Sequence, residues 1–157
     1  MTSNRHTIAE NLCIIRDRIA AAALRAGRDP AEVRLVAVSK TFPPAAIRAA
    51  WEAGQRDFGE NRPEVAPEKL TAVQALLGGE RPIWHMIGHI QRRKARLVIE
   101  HFDEVHAVDR LVLAEKLSQL AADASRPLPV LLECNVSGEA SKYGFELSGW
   151  ESDPDLR

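Results

Sequence analysis

The chain has 157 residues, of which 45% are hydrophobic and 27% charged, the composition of a globular domain. Its 21 basic and 22 acidic residues leave a net charge of -1, which excludes the strong positive field that a nucleic-acid backbone demands. The polar opening MTSNRHTIAENL and the lack of any apolar run of about 18 residues argue against a signal peptide and a membrane span, so the expected location is cytoplasmic. Two distant cysteines, Cys13 and Cys134, form no C-x-x-C pair; both are expected to be reduced and packed.

Along the chain, Ile8, Leu12, Ile15, Ile19 and Ala22 recur at helical spacing, and Gly27 follows as a stop, which predicts a helix over Thr7 to Arg25. Val33, Leu35, Val36, Ala37 and Val38 form a nearly continuous apolar run, the mark of a strand buried on both faces. Thr41 then stands where a helix cap would, with Pro43 and Pro44 in the first turn of a helix reaching Gly54. The alternation repeats: Asp57-Phe58-Gly59 precedes a helix over Pro63 to Leu77, and Ile83 to Ile87 precedes Gln91 to His101. Glu104 to Val108 precedes Arg110 to Ala124, and Pro129 to Val136 is a final β-rich run.

Strands recurring every 20 to 30 residues or so, with helices between them, predict an α/β fold with a parallel sheet. A (β/α) barrel of eight units takes about 250 residues, so the expectation is a single domain over residues 1–157 that holds about five of the eight β/α units and is incomplete at its C-terminus. Leu147 and Trp150 start an apolar pattern that the chain end interrupts. Such a sheet would keep two unpaired edges, leaving Val36, Val38, Leu131 and Glu133 short of neighbours.

Ligand-binding groups in such folds gather where strands end. Those ends carry Ser39-Lys40-Thr41, Gly59-Glu60-Asn61-Arg62, Gly88-His89, Val108-Asp109-Arg110 and Asn135-Val136-Ser137-Gly138. Lys40 stands out because it follows the apolar run RLVAVS directly, which suggests an amine held against Val36 and Val38. At the ordinary lysine pKa of about 10.4 only about one amine in a thousand is neutral near pH 7.4, and desolvation enlarges that nucleophilic fraction. Position alone also permits a lysine that simply points to water.

The segments AVSKTFP, FGENR, WHMIGHIQRRKARLV, VHAVDR and NVSGEASKYGF, in this order and spacing, resemble the pyridoxal phosphate homeostasis protein family over essentially the whole chain from Asn4. The resemblance implies an alanine racemase-like barrel of the N-terminal-domain type. It also implies pyridoxal 5'-phosphate (PLP) as cofactor, held as a Schiff base on the lysine of the AVSK motif, which is Lys40. The implied function is intracellular vitamin B6 and PLP homeostasis without established turnover, and the implied partners are PLP itself and PLP-dependent apo-enzymes. The family's Ser-Met-Gly-Met-Ser and Arg-Ile-Gly segments, which cradle the phosphate and face the pyridine nitrogen, have no counterpart in these residues.

Other cofactor contacts are expected from Asn61, His85, Asn135 and Ser137. Asn61 serves equally well as a helix cap. His85 shares a face with Ile83 and Ile87 by strand alternation and should line the barrel interior; it lies four residues from His89, a metal-ligand spacing only on a helix, so no metal is expected. Lys142 and Tyr143 sit in the last loop. The basic run Gln91 to Arg96 opens a helix, where cations are disfavoured unless an anion meets them. Two alternatives stay open. One is a PLP-dependent racemase-like enzyme, which needs an acid or base besides Lys40; the other is a barrel fragment that binds nothing.

Overall fold

A computed structural model describes residues 7–147; Trp150, part of the interrupted apolar pattern, lies outside them. The chain divides into two compact units, one running through Gly59 and adding Pro67–Trp84, the other made of Glu60–Ala66 and the described residues from His85 onward.

In the first unit, helix α1 (Ile8–Arg25) starts at Thr7, whose side chain accepts from the Glu10 amide while the Glu10 carboxylate accepts from the Thr7 amide at 2.6 Å. This reciprocal cap satisfies two amides that the first turn would otherwise leave open. Strand β1 (Ala37–Val38), helix α2 (Pro44–Glu52) and strand β2 (Asp57–Glu60) follow. Strand β1 pairs parallel to β2, Ala37 opposite Phe58 and Val38 opposite Gly59. The buried Gln55 amide donates to the carbonyls of Leu35 at 2.6 Å and Asp57 at 2.7 Å, and Arg16 from α1 donates to the Ala53 carbonyl and to Gln55. These bonds tie α1 to the entry of β2. Helix α3 (Ala66–Leu76), preceded by a 3-10 turn over Pro63–Val65, leads to strand β3 (Ile83–Met86). The core here joins Leu12, Ile47, Phe58, Val73 and Trp84, with the Phe58 and Trp84 rings 5.8 Å apart.

In the second unit, a 3-10 turn (Arg92–Lys94) continues into helix α4 (Ala95–His101), followed by strand β4 (Glu104–Val108), helix α5 (Leu111–Asp123) and strand β5 (Val130–Leu132). Strand β3 pairs parallel with β4, and β4 with β5. Two further short strands, β6 (Cys134–Asn135) and β7 (Phe145–Glu146), pair with each other. Met86, Ile90, Val98, Phe102, Val105, Leu113 and Leu117 fill the core. Arg126 closes the C-terminal end of α4 by donating to the carbonyls of Ile99 and Phe102 and to the Asp103 carboxylate.

Five parallel strands alternating with helices are the predicted α/β arrangement. The details differ in three places. The run from Val33 is not a strand buried on both faces: only Ala37 and Val38 are extended in the sheet, and Val38 is 48% exposed. Among the described residues β1 has a single strand partner, β2; Leu131, in β5, is likewise 51% exposed. Thr41 is no cap, because α2 begins three residues later, after Pro43. Nor are the cysteines packed: both thiols are free and exposed, Cys13 on the side of α1 that carries Asp17. No helix among the described residues is long and apolar enough to cross a membrane.

Candidate functional site

Strand β1 ends in a tightly closed turn. The Ser39 amide donates to the Gly59 carbonyl at 2.9 Å, and the Ser39 carbonyl accepts from the Phe42 amide at 3.0 Å. The same carbonyl accepts from the Lys69 ammonium at 2.6 Å. Thr41 within the turn has φ +67, a conformation that a β-branched residue adopts at a cost of about 1–3 kcal/mol. Ser39 is buried, whereas Lys40 is exposed. The expected apolar shelter for this amine is therefore missing here, and Val38, which was to supply part of it, is itself exposed. What the turn supplies is an amine, just past the end of β1, that no side chain engages among the described residues.

The remaining predicted residues belong to the second unit. Asn61 is half-buried and does not cap the following turn, whose N-cap is Arg62. Its backbone lies against Gly88: a Cβ on Gly88 would stand 2.5 Å from the Asn61 carbonyl oxygen. This approach, fixed further by the Ile87 amide donating to the Glu60 carbonyl, brings the loops after β2 and β3 together. Asn135 and Ser137 form one loop network. The Asn135 amide donates to the Glu139 carbonyl at 2.9 Å, Ser137 donates to the Asn135 side-chain oxygen, and Lys142 joins Ser137 to the Glu139 carboxylate. Gly144, at φ +117 and with its would-be Cβ 2.7 Å from the Asn135 amide, returns the loop against β6.

His85 has no exposed surface. Its Nδ1 lies 3.0 Å from His106 Nε2 and 3.8 Å from Glu104 Oε2, and His106 Nε2 lies 3.3 Å from Glu104 Oε1. Strand pairing places His85 opposite Glu104, and His106, two residues on, shares the face of Glu104. The pattern Glu-Val-His was visible in the sequence; the register that brings it to His85 was not.

A second cluster was also missed. His89 Nδ1 lies 2.8 Å from Asp109 Oδ2, Arg110 donates to Asp109 Oδ1 at 2.5 Å and to the Ile90 carbonyl at 2.7 Å, and the His89 ring stacks on Tyr143 with centroids 4.1 Å apart. With the buried Asp109 carboxylate as acceptor, Nδ1 of His89 is the donor in this bond. The signal available in sequence was a pair of strand ends 20 residues apart, one β/α unit. The basic run after Gln91 does meet an anion, one of the protein's own: Lys94 pairs with Glu64 at 2.7 Å, and the bond holds the Glu64 carboxyl below the usual glutamate range.

Residues 8–153 match the family described as alanine racemase, N-terminal domain. The chain is similar to proteins named pyridoxal phosphate homeostasis protein, at 48% identity over 141 residues in Escherichia coli and 53% over 138 residues in Pseudomonas aeruginosa. It covers 60% and 58% of those proteins, and 90% and 88% of its own length is matched; it therefore spans about six-tenths of these curated relatives. The structure of PipY from Synechococcus elongatus with PLP bound superposes with a TM-score of 0.71 at 38% identity, covering 95% of this chain and 63% of that one.

Proposed function

This chain belongs to the alanine racemase N-terminal domain family, and from that premise we propose that it is part of a PLP-binding protein of intracellular vitamin B6 homeostasis. Lys40 is the residue that holds the cofactor. The observation that carries this reading is the turn after β1, which presents the Lys40 amine beyond the strand end with no hydrogen bond or ion pair among the described residues. When bound, PLP supplies an aldehyde that condenses with an amine and releases water. A strand-end amine that no other group engages is open to that condensation through its neutral fraction.

The protein's own residues divide the remaining work. Ser39 and Lys69 fix the turn, so the amine is delivered from a defined backbone. Asn61, Asn135 and Ser137, all at strand ends, supply polar contacts, while His85 enters through its bonds to His106 and Glu104. Residues 1–157 act as parts of one cofactor-binding domain in the cytoplasm, and the cofactor is sequestered or handed on to PLP-dependent apo-enzymes without turnover of its own. The similarity to proteins named for PLP homeostasis and to a PLP-bound structure supports this reading.

Titrating the chain with PLP should produce a visible absorption band that Lys40→Ala lacks. A band of equal strength in Lys40→Ala would overturn the assignment. A second reading, a racemase-like enzyme, is favoured by one observation, the His89–Asp109 pair, which has the form of an oriented base. Incorporation of solvent deuterium at the α-carbon of alanine or serine, lost in His89→Asn, would favour that enzyme. The homeostasis reading expects no incorporation above that of free PLP.

A further inference from the structure

We propose that His85, Glu104 and His106 form a binding site for a single divalent transition-metal ion of the zinc type. His85 is also among the proposed cofactor residues, but the metal proposal requires no bound PLP, and three features of the cluster carry it.

The first is the donor set. Two imidazole nitrogens and one carboxylate are a recurrent zinc ligand set, and three protein ligands leave a fourth position for water. The second is that the contacts close a triangle. A hydrogen-bonded chain of two histidines and a glutamate needs two short contacts and tolerates one long one. The imidazole nitrogens lie 3.0 Å apart, and Glu104 meets them with its two oxygens, Oε1 3.3 Å from His106 Nε2 and Oε2 3.8 Å from His85 Nδ1; one donor atom from each residue lies within 4.8 Å of the other two. Ligands about 2.0–2.2 Å from a tetrahedral ion stand about 3.3–3.6 Å from one another, so a small turn of the Glu104 carboxylate brings one oxygen and both imidazole nitrogens within bonding reach of a single ion.

The third feature is ring orientation. The two imidazoles are perpendicular, with centroids 5.0 Å apart. Rings aimed in-plane at one ion, with nitrogens about 2.0–2.1 Å from it, reach that separation at a nitrogen–metal–nitrogen angle of about 100°. That angle suits a distorted four-coordinate ion. The parallel β3–β4 register pins the arrangement, since His85 faces Glu104 directly. The ligands sit in a sheet, and His85 is wholly buried while Glu104 and His106 are 18% and 26% exposed, so the histidine is preorganised and the other two ligands leave a path to solvent.

The test uses the untagged 157-residue chain, stripped with a chelator and free of pyridoxal compounds, titrated with Co²⁺ and then with Zn²⁺. The expected result is one Co²⁺ per chain, with the intense visible band of a four-coordinate site, displaced stoichiometrically by Zn²⁺. Glu104→Gln and His106→Asn should each weaken Co²⁺ binding by at least on the order of tenfold. Absence of the band at stoichiometric Co²⁺ overturns the proposal, as does undiminished binding in both variants, which would put the ion elsewhere. If the variants lose their folded far-UV spectrum, zinc-edge absorption on the unsubstituted chain decides. Two imidazoles and one carboxylate support the site, and any other ligand count overturns it.

Discussion

The Lys69 ammonium donates a 2.6 Å hydrogen bond to the carbonyl oxygen of Ser39, the residue immediately before Lys40. Helix α3 thereby braces the turn that presents the proposed cofactor lysine. A charged donor on a partly buried carbonyl contributes about 1.5–3 kcal/mol. Lys69→Met keeps the aliphatic stem and removes the donor. It should lower stability to urea by about 1–2 kcal/mol and weaken PLP binding by about threefold or more, while Lys69→Arg restores much of both. PLP affinity unchanged in Lys69→Met would limit the bond to a structural role.

Gly88 touches the backbone of Asn61, and its hypothetical Cβ would lie 2.5 Å from a carbonyl oxygen and 2.8 Å from a Cα. Neither atom belongs to a flexible side chain, so the loops after β2 and β3 must separate to admit a methyl group. Gly88→Ala should therefore cost about 1–3 kcal/mol in chemical denaturation. Gly138→Ala is the useful comparison, because a Cβ there meets nothing within 4 Å and only its φ of +67 is unfavourable.

Glu64 and Lys94 set a small acid dependence. The Lys94 hydrogen bond keeps the Glu64 carboxyl ionised to lower pH than in the unfolded chain. A depressed folded-state pKa stabilises above the unfolded value, about 4.3, and the contribution disappears as pH falls through the folded value. Glu64 is 43% exposed, so after screening the pair contributes no more than about 0.5 kcal/mol. Glu64→Gln should make the loss of stability between about pH 5 and pH 3 slightly shallower, and 1 M salt should erase much of the difference. A steeper loss in Glu64→Gln would reverse the sign of the argument.

The alternation of strands and helices was legible because each period is local: the helix over Thr7 to Arg25 needed only its apolar spacing and the stop at Gly27. The short β1 was not, since the run from Val33 to Val38 reads as buried whether or not a second strand covers it. Asn61, Asn135 and Ser137 could be placed at strand ends, but their partners could not, because loop geometry is set by Gly88 and Gly144, whose close approaches are tertiary facts. His85 was predicted to face inward, while its contacts with Glu104 and His106 depend on the pairing register of β3 and β4.

The most direct test of the account is chemical trapping at Lys40. The chain is incubated with PLP, reduced with borohydride, digested and mapped by mass spectrometry. The reduced pyridoxyl group should reside on the peptide containing Lys40, at one per chain, with little on Lys69, Lys94 or Lys142. Preferential labelling of any of those three, or equal labelling of all lysines, would contradict it.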